Sequence, residues 1–232
     1  MKLKLFVCDV AGTTVRDDDD AVARCVCEAL AAAGVQHALT AVNPLMGMPK
    51  PLAIRELLRS GRGTASSEAE VAEVHADFRR RMIEHYRTSP NVQPMPGADA
   101  LFDALRERDI RITLDTGFDR PILDAILDRL DWHDTLDDTI ASDEVANGRP
   151  QPDMIHALMK RTGVSDAALV GKVGDSVSDL EEGLNAGCGL VVAVLGQRTE
   201  PVMTRFPSVR GVRTLTEIVR MLDEPALAGP PK

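Results

Sequence analysis

Four short segments carry side chains that handle anions and divalent cations, and each stands directly behind an apolar run or in the loop after one. Asp9 closes the run Leu3 to Cys8 and leads into Val10-Ala11-Gly12-Thr13-Thr14, a carboxylate followed by a small-residue turn whose backbone N–H groups can approach an anion closely. Thr116-Gly117 follows Leu114-Asp115 and offers a hydroxyl beside an unobstructed N–H. Asn147-Gly148-Arg149-Pro150 would hold a guanidinium on a stiff loop. In Gly174-Asp175-Ser176-Val177-Ser178-Asp179 two carboxylates stand four residues apart across a turn and a helix start. Paired oxygen ligands of that kind suit Mg²⁺, which binds few carboxylates and keeps waters and substrate oxygens as its other ligands. Each segment alone has a plainer reading as a turn, a cap or an exposed loop; their order along the chain carries the argument.

The elements that must position them follow from periodicity. Short apolar runs at 3–8, 110–115, 139–141, 168–173 and 189–195 alternate with helical spacing at 98–108, 119–130, 152–162, 177–186 and 214–222. That alternation predicts a doubly wound α/β fold with a parallel sheet covered on both faces. Ligands of such sheets bind beyond the carboxyl ends of the strands, where these segments fall. Between the first strand and the rest lies a helical block. It has helices from Asp18 to about Gly34, from Pro51 to Ser60 and from Ser66 to Tyr86, the last with Val71, Val74, Phe78, Met82 and His85 on one side. Residues 1–15 and 92–232 are therefore expected to form the core domain and 16–91 an inserted helical cap domain, with Ser89 to Gly97 breaking regular structure between them. Asp17 to Asp20 reads as a solvated helix start, and Pro225 to Lys232 as a mobile tail.

Bulk properties narrow the class. The chain has 232 residues, 44% hydrophobic and 3% aromatic, so Leu, Val, Ile and Ala must fill its core. A net charge of −9 argues against nucleic acid as a partner. No apolar run approaches the ~20 residues that cross a bilayer, and the start does not read as a signal peptide, so no membrane association and a cytoplasmic location are expected. Cys8, Cys25, Cys27 and Cys188 lack the spacing of a zinc site or a disulfide framework, and the five histidines lack metal-like spacing.

Asp9, Thr116, Arg149 and the pair Asp175/Asp179, in that order at successive strand ends, resemble the four motifs of the haloacid dehalogenase superfamily. The resemblance implies a Rossmann-like core with a helical cap and a hydrolase that works through a covalent aspartyl intermediate. Asp9 would be the nucleophile, Thr116 and Arg149 would bind the phosphoryl oxygens, and Gly12, Thr13 and Gly117 would line the substrate site. Mg²⁺ would be held by Asp9, Asp175 and the Ala11 carbonyl, with Asp179 supporting its waters.

Most phosphatases of that superfamily carry an acid two residues after the nucleophile; here the position is Ala11. Met46-Gly47-Met48-Pro49-Lys50 on the helical block, with Asp-x-Ala-Gly-Thr-Thr at the first motif, resembles the phosphonoacetaldehyde hydrolases. In them a cap lysine forms a Schiff base with the aldehyde, and the iminium accepts electrons as the C–P bond breaks. A carbon leaving group of that kind needs no oxygen acid, so Ala11 and Lys50 support one another. By this resemblance Lys50 is catalytic, Met46 and Gly47 touch substrate, the substrate is a small phosphonate or phosphate, and two copies pair through the cap. Three positions depart from that pattern: Ala53 where a His is common, Phe118 where a Tyr is, and Asp115 where a hydroxyl residue is usual. Without a base near Lys50, its proton is expected to be harder to remove. The alternative is a phosphomonoester phosphatase for a metabolite such as phosphoglycolate, with Lys50 binding a carboxylate. A sugar-phosphate mutase would want the acid missing at Ala11, a 2-haloacid dehalogenase would not need the Asp pair, and a non-catalytic sensor would not need four charged motifs.

Overall fold

The computed structural model describes residues 2–17 and 19–224. Asp18, expected to begin the first helix, and the tail 225–232, expected to be mobile, lie outside the described residues.

Strand β1 (Leu5–Asp9) is buried along its whole length, which is why its sequence is continuously apolar rather than alternating. Leu5 and Val7 join a cluster with Met154, Ile155 and Leu158, while Phe6 and Cys8 join the larger cluster on the other side. On one flank β1 pairs in parallel with β2 (Arg111–Thr116), which pairs with β3 (Asp138–Ala141). On the other it pairs with β4 (Val170–Gly174), followed by β5 (Leu190–Val194) and β6 (Arg210–Val212). Among the described residues this is a six-stranded parallel sheet in the order β3-β2-β1-β4-β5-β6. The chain builds outward from β1 in one direction and then in the other, so the strand order reverses beside β1 and opens a crevice at the carboxyl ends. All five expected strands lie within about two residues of their predicted ends. β6, only three residues with the sequence Arg-Gly-Val, has no apolar run to announce it.

The helices are amphipathic and bury their apolar stripes on the sheet. α5 (Ala98–Glu107), α6 (Arg120–Leu130) and α9 (Leu215–Leu222) share the cluster of Phe6 and Cys8. α7 (Asp153–Thr162) covers Leu5 and Val7, and α8 (Val177–Asn185) packs on β4 and β5. Each fully buried Leu or Ile in these stripes stabilises the fold by about 1.5–3 kcal/mol. Trp132, just past α6, packs edge-on against Phe102 at 5.2 Å between centroids.

Between β1 and α5 run α1 (Ala21–Ala32), α2 (Leu39–Val42), α3 (Lys50–Arg62) and α4 (Glu68–Thr88). α4 starts where the Ser67 hydroxyl accepts the Glu70 N–H, and it buries Val71, Val74, Phe78, Met82 and Tyr86 against α1, α3 and α6. The stripe ends on Tyr86 rather than the expected His85, which is only half-buried. α2, a single turn, was not legible as a helix. No described helix is long and apolar enough to cross a membrane.

Candidate active site

The turn after β1 is wound tightly around one carbonyl. The N–H groups of Thr13, Thr14 and Val15 all donate to the Val10 oxygen, and the Thr14 hydroxyl donates to the Asp9 oxygen at 2.8 Å. Asp9 is thereby left at the carboxyl end of the central strand, 5% exposed. One cavity above it is lined by Asp9, Ala11, Met46, Gly47, Lys50, Thr116, Gly117 and Phe118, so seven residues singled out from sequence meet in one place with one of the three departures.

The segment Met46 to Lys50 reaches this cavity because glycines let backbone approach backbone. Gly47 is left-handed (φ +82°), and a Cβ there would fall 2.0 Å from Ser176 Oγ. A Cβ on Gly117 would fall 2.7 Å from the carbonyl oxygens of Gly47 and Met48, and one on Gly148 would fall 2.5 Å from Pro49. The loop is thus pressed onto three strand-end segments at once.

Lys50 opens α3 and is 3% exposed. Its Nζ donates to the Met48 oxygen at 3.2 Å and lies 5.3 Å from the centre of the Phe118 ring. Burial pushes its pKa down to about 8, against the opposing pull of the Asp9 charge. Burial thus favours the neutral amine even with Ala53 in place of a base. Phe118, in place of a Tyr, is held by Phe78 and Tyr86 with centroids 6.3 Å and 6.1 Å away.

Below Asp9 lies a buried ion network. Arg149 is 1% exposed and does not line the cavity. Its Nη1 donates to Asp9 Oδ1 at 2.6 Å, its Nε to Glu182 at 3.0 Å, and its Nη2 to the Asp115 carbonyl at 2.9 Å and to the Asp115 carboxylate. Arg149 thus holds Asp9 from below while its other donors serve Glu182 and Asp115. Lys172 Nζ lies 2.5 and 2.7 Å from the two Asp115 oxygens. The Asp115 departure thus has a physical reason: it is the counter-ion of a buried lysine. Burial would raise the Asp115 pKa, but Arg149 and Lys172 outweigh it and hold the carboxyl below its usual range. Glu182 is pushed well above that range, by burial first and then by the Asp115 charge.

Two acidic groupings around Asp9 could hold a cation. Carboxylate oxygens of Asp9, Asp115 and Asp179 lie within 4.8 Å of one another, yet Arg149 and Lys172 already place two positive charges among them. The other grouping is Asp9 with Asp175. Burial raises Asp9 to about 6 and Asp175 to about 7, and the two charges repel. Gly12 (φ +90°) backs onto this place, where a Cβ would fall 2.5 Å from Asp175 Oδ2, and Thr13 Oγ1 is 3.5 Å from Asp175 Oδ1. A buried and a partly buried carboxylate whose charges repel fit a hard divalent cation, and Ala11 lines the same cavity as Asp9. Asp179 is fully buried, accepts from the Ser176 hydroxyl at 2.5 Å, caps α8 and lies 2.7 Å from Arg149 Nη1.

Sequence reasoning missed two residues here. Arg198, in the loop after β5, lines the cavity and lies 2.5 Å from Asp175 Oδ2. Looking at every strand end would have found it. Asp17, read as part of a solvated helix start, has a side chain 6% exposed that lines the same cavity; burial raises its pKa to about 6.

Comparison with known proteins agrees with this architecture. The phosphonoacetaldehyde hydrolase of Bordetella pertussis is 29% identical over 205 residues, covering 84% of this chain and 74% of that protein. A hydrolase from Pseudomonas syringae superposes with a TM-score of 0.83 at 19% identity, covering 96% of this chain and 99% of that one. A predicted phosphoglycolate phosphatase from Haemophilus somnus superposes at 0.78 and 16% identity, covering 96% and 99%. A model of the haloacid dehalogenase-like hydrolases matches residues 3–187, a span that runs from the first strand through the Asp175 helix, and the chain belongs to that family of enzymes.

Proposed function

We propose that this protein is a Mg²⁺-dependent, phosphonatase-like hydrolase that cleaves a small phosphonate, phosphonoacetaldehyde or a close relative, through an imine on Lys50 and an aspartyl phosphate on Asp9. The observation that carries the reading is a buried, pKa-depressed lysine amine in the same cavity as Asp9, with alanine at the position where an acid would otherwise protonate an oxygen leaving group. The name borne by the Bordetella pertussis relative supports it.

Chemistry follows from the groups in place. With its pKa near 8 rather than ~10.4, about one Lys50 side chain in ten is a free amine at pH 7, against about one in a few thousand for an ordinary lysine. That amine condenses with the aldehyde, releasing water and forming an iminium. Asp9, held by Arg149, attacks phosphorus; the C–P electron pair passes into the iminium and gives an enamine, so no oxygen needs a proton. Water then attacks the aspartyl phosphate and releases phosphate, while the enamine is protonated and its imine hydrolysed to free Lys50. Thr116, which lines the cavity, offers its hydroxyl to the phosphoryl oxygens. Asp9, Asp175 and the Ala11 carbonyl would hold Mg²⁺, which when bound supplies positive charge against the phosphoryl group. The helical block from 16 to 91 acts as a cap on the core, and its loop at Gly47 excludes water from the imine step.

Borohydride added with phosphonoacetaldehyde should leave a reduced adduct on Lys50, located by peptide mass spectrometry. Turnover of that substrate with no trappable adduct would remove the imine step. Hydrolysis of phosphoglycolate but not of phosphonoacetaldehyde would favour the phosphatase reading.

A further inference from the structure

The ends of β1, β2 and β5 bring Asp9, Thr116 and Arg198 to the cavity, and to Arg198 the mechanism assigns nothing. Its loop is fixed rather than loose. Thr199 is fully buried, its hydroxyl donates to the Val194 oxygen at 2.7 Å and accepts the Gly196 N–H at 3.1 Å, which pins the segment back onto the strand. The Arg198 side chain is 18% exposed and lines both the cavity above Asp9 and the adjoining cleft that contains Gly12 and Asp175. Among the described residues its hydrogen bonding is confined to one contact, Nη1 to Asp175 Oδ2 at 2.5 Å, with Asp17 Oδ2 at 3.9 Å from Nη2, beyond hydrogen-bond range.

Charge accounting in the cavity leaves this guanidinium without a task. Arg149 is committed to buried carboxylates, and Lys50 must shed its charge to form an imine. A divalent cation held by Asp9 and Asp175 would offset the negative charge that Arg198 now faces. Thr116 enters from β2 and Arg198 from β5, three strand spacings away, roughly 14 Å of sheet. The two groups therefore approach a bound molecule from opposite sides. A planar guanidinium fork matches a carboxylate with two parallel N–H bonds.

We propose that Arg198 is a specificity-determining residue that binds a carboxylate on the substrate carbon chain, so that the preferred substrates are short phosphoryl compounds carrying a carboxylate beside the reacting carbon. The idea rests on the proposed function for placing phosphorus at Asp9 and for assigning Lys50 to the imine.

Binding tests this separately from turnover. Phosphonoacetate and ethylphosphonate are two-carbon phosphonates that differ in the carboxylate. Their affinities for the Mg²⁺-loaded protein would be measured by isothermal titration calorimetry for the wild type, Arg198→Gln, Arg198→Lys and Lys50→Met. The wild type should bind phosphonoacetate at least about tenfold tighter, Arg198→Gln should erase that preference while leaving ethylphosphonate within about threefold, and Arg198→Lys should restore part of it. No preference in the wild type, an equal loss for both ligands in Arg198→Gln, or a preference that disappears with Lys50→Met instead would each overturn the assignment. Failure of borohydride trapping at Lys50, by contrast, would remove the imine and leave these affinities untouched.

Discussion

Asp115→Asn keeps the shape of a side chain at the centre of the buried network and deletes its charge. Lys172 would lose contacts of 2.5 and 2.7 Å and be left with Asp179 and Glu182, each 3.2 Å away. A charge pair 2.6 Å apart is worth about 6 kcal/mol at an effective dielectric constant near 20, which bounds the effect from above. Breaking one partner of a buried pair typically costs about 3–5 kcal/mol. Asp179 and Glu182 remain 3.2 Å from Lys172 and keep part of its charge compensated. The expected loss is therefore near the low end, about 3 kcal/mol. Urea unfolding followed by circular dichroism at pH 7.5 reads it directly. Lys172→Met in the same background removes the stranded cation, so the double variant should be more stable than the sum of the single losses predicts, by about 2 kcal/mol. Asp115 has a folded-state pKa below its unfolded value, so its contribution is complete above about pH 4 and disappears as pH falls through the folded value. The gap between wild type and variant should close only in acid. A loss under about 1 kcal/mol, or strict additivity with Lys172→Met, would refute the account of this network.

Gly47→Ala should leave the melting temperature within a few degrees but lower kcat/KM about a hundredfold, because its Cβ collides with Ser176 and holds the loop off the core. Borohydride trapping at Lys50 should increase from pH 6.5 to 8.5 and then level off, following a pKa of about 8; continued growth past pH 9.5 would mean an ordinary lysine. Asp175→Asn should weaken Mg²⁺ binding, measured calorimetrically, by at least about tenfold, and chelation should stop turnover reversibly.

The central strands were legible because a parallel strand covered on both faces reads as an apolar run, and the residues behind each run then fall at one edge of the sheet. Asp9 and Thr116 followed from that rule and from motif order, and Lys50 from the resemblance to the phosphonoacetaldehyde hydrolases. Arg149 was located in sequence but not in depth: nothing local says that its loop tucks the guanidinium beneath Asp9. The Asp115–Lys172 pair depends on register. Val7 pairs with both Thr113 and Lys172, so Asp115, two residues beyond Thr113, shares a sheet face with Lys172, and a long lysine side chain can cross β1 to meet it. Asp17 was passed over as part of an acidic helix start, whereas Arg198, in the loop after the β5 run, was within reach of the strand-end rule; the two meet only through the fold. The depression of the Lys50 pKa is a property of burial, which residue spacing does not report. β6 and α2 were missed because three or four residues carry too little periodicity to register.

Acid quenching of the Mg²⁺-loaded protein within milliseconds of mixing with a turned-over phosphoryl substrate, followed by peptide mass spectrometry, tests the central claim most directly. The structure predicts a phosphoryl group on Asp9 and its disappearance, with all turnover, in Asp9→Asn. Steady turnover with Asp9 unmodified at every quench time, or retained in Asp9→Asn, would contradict it.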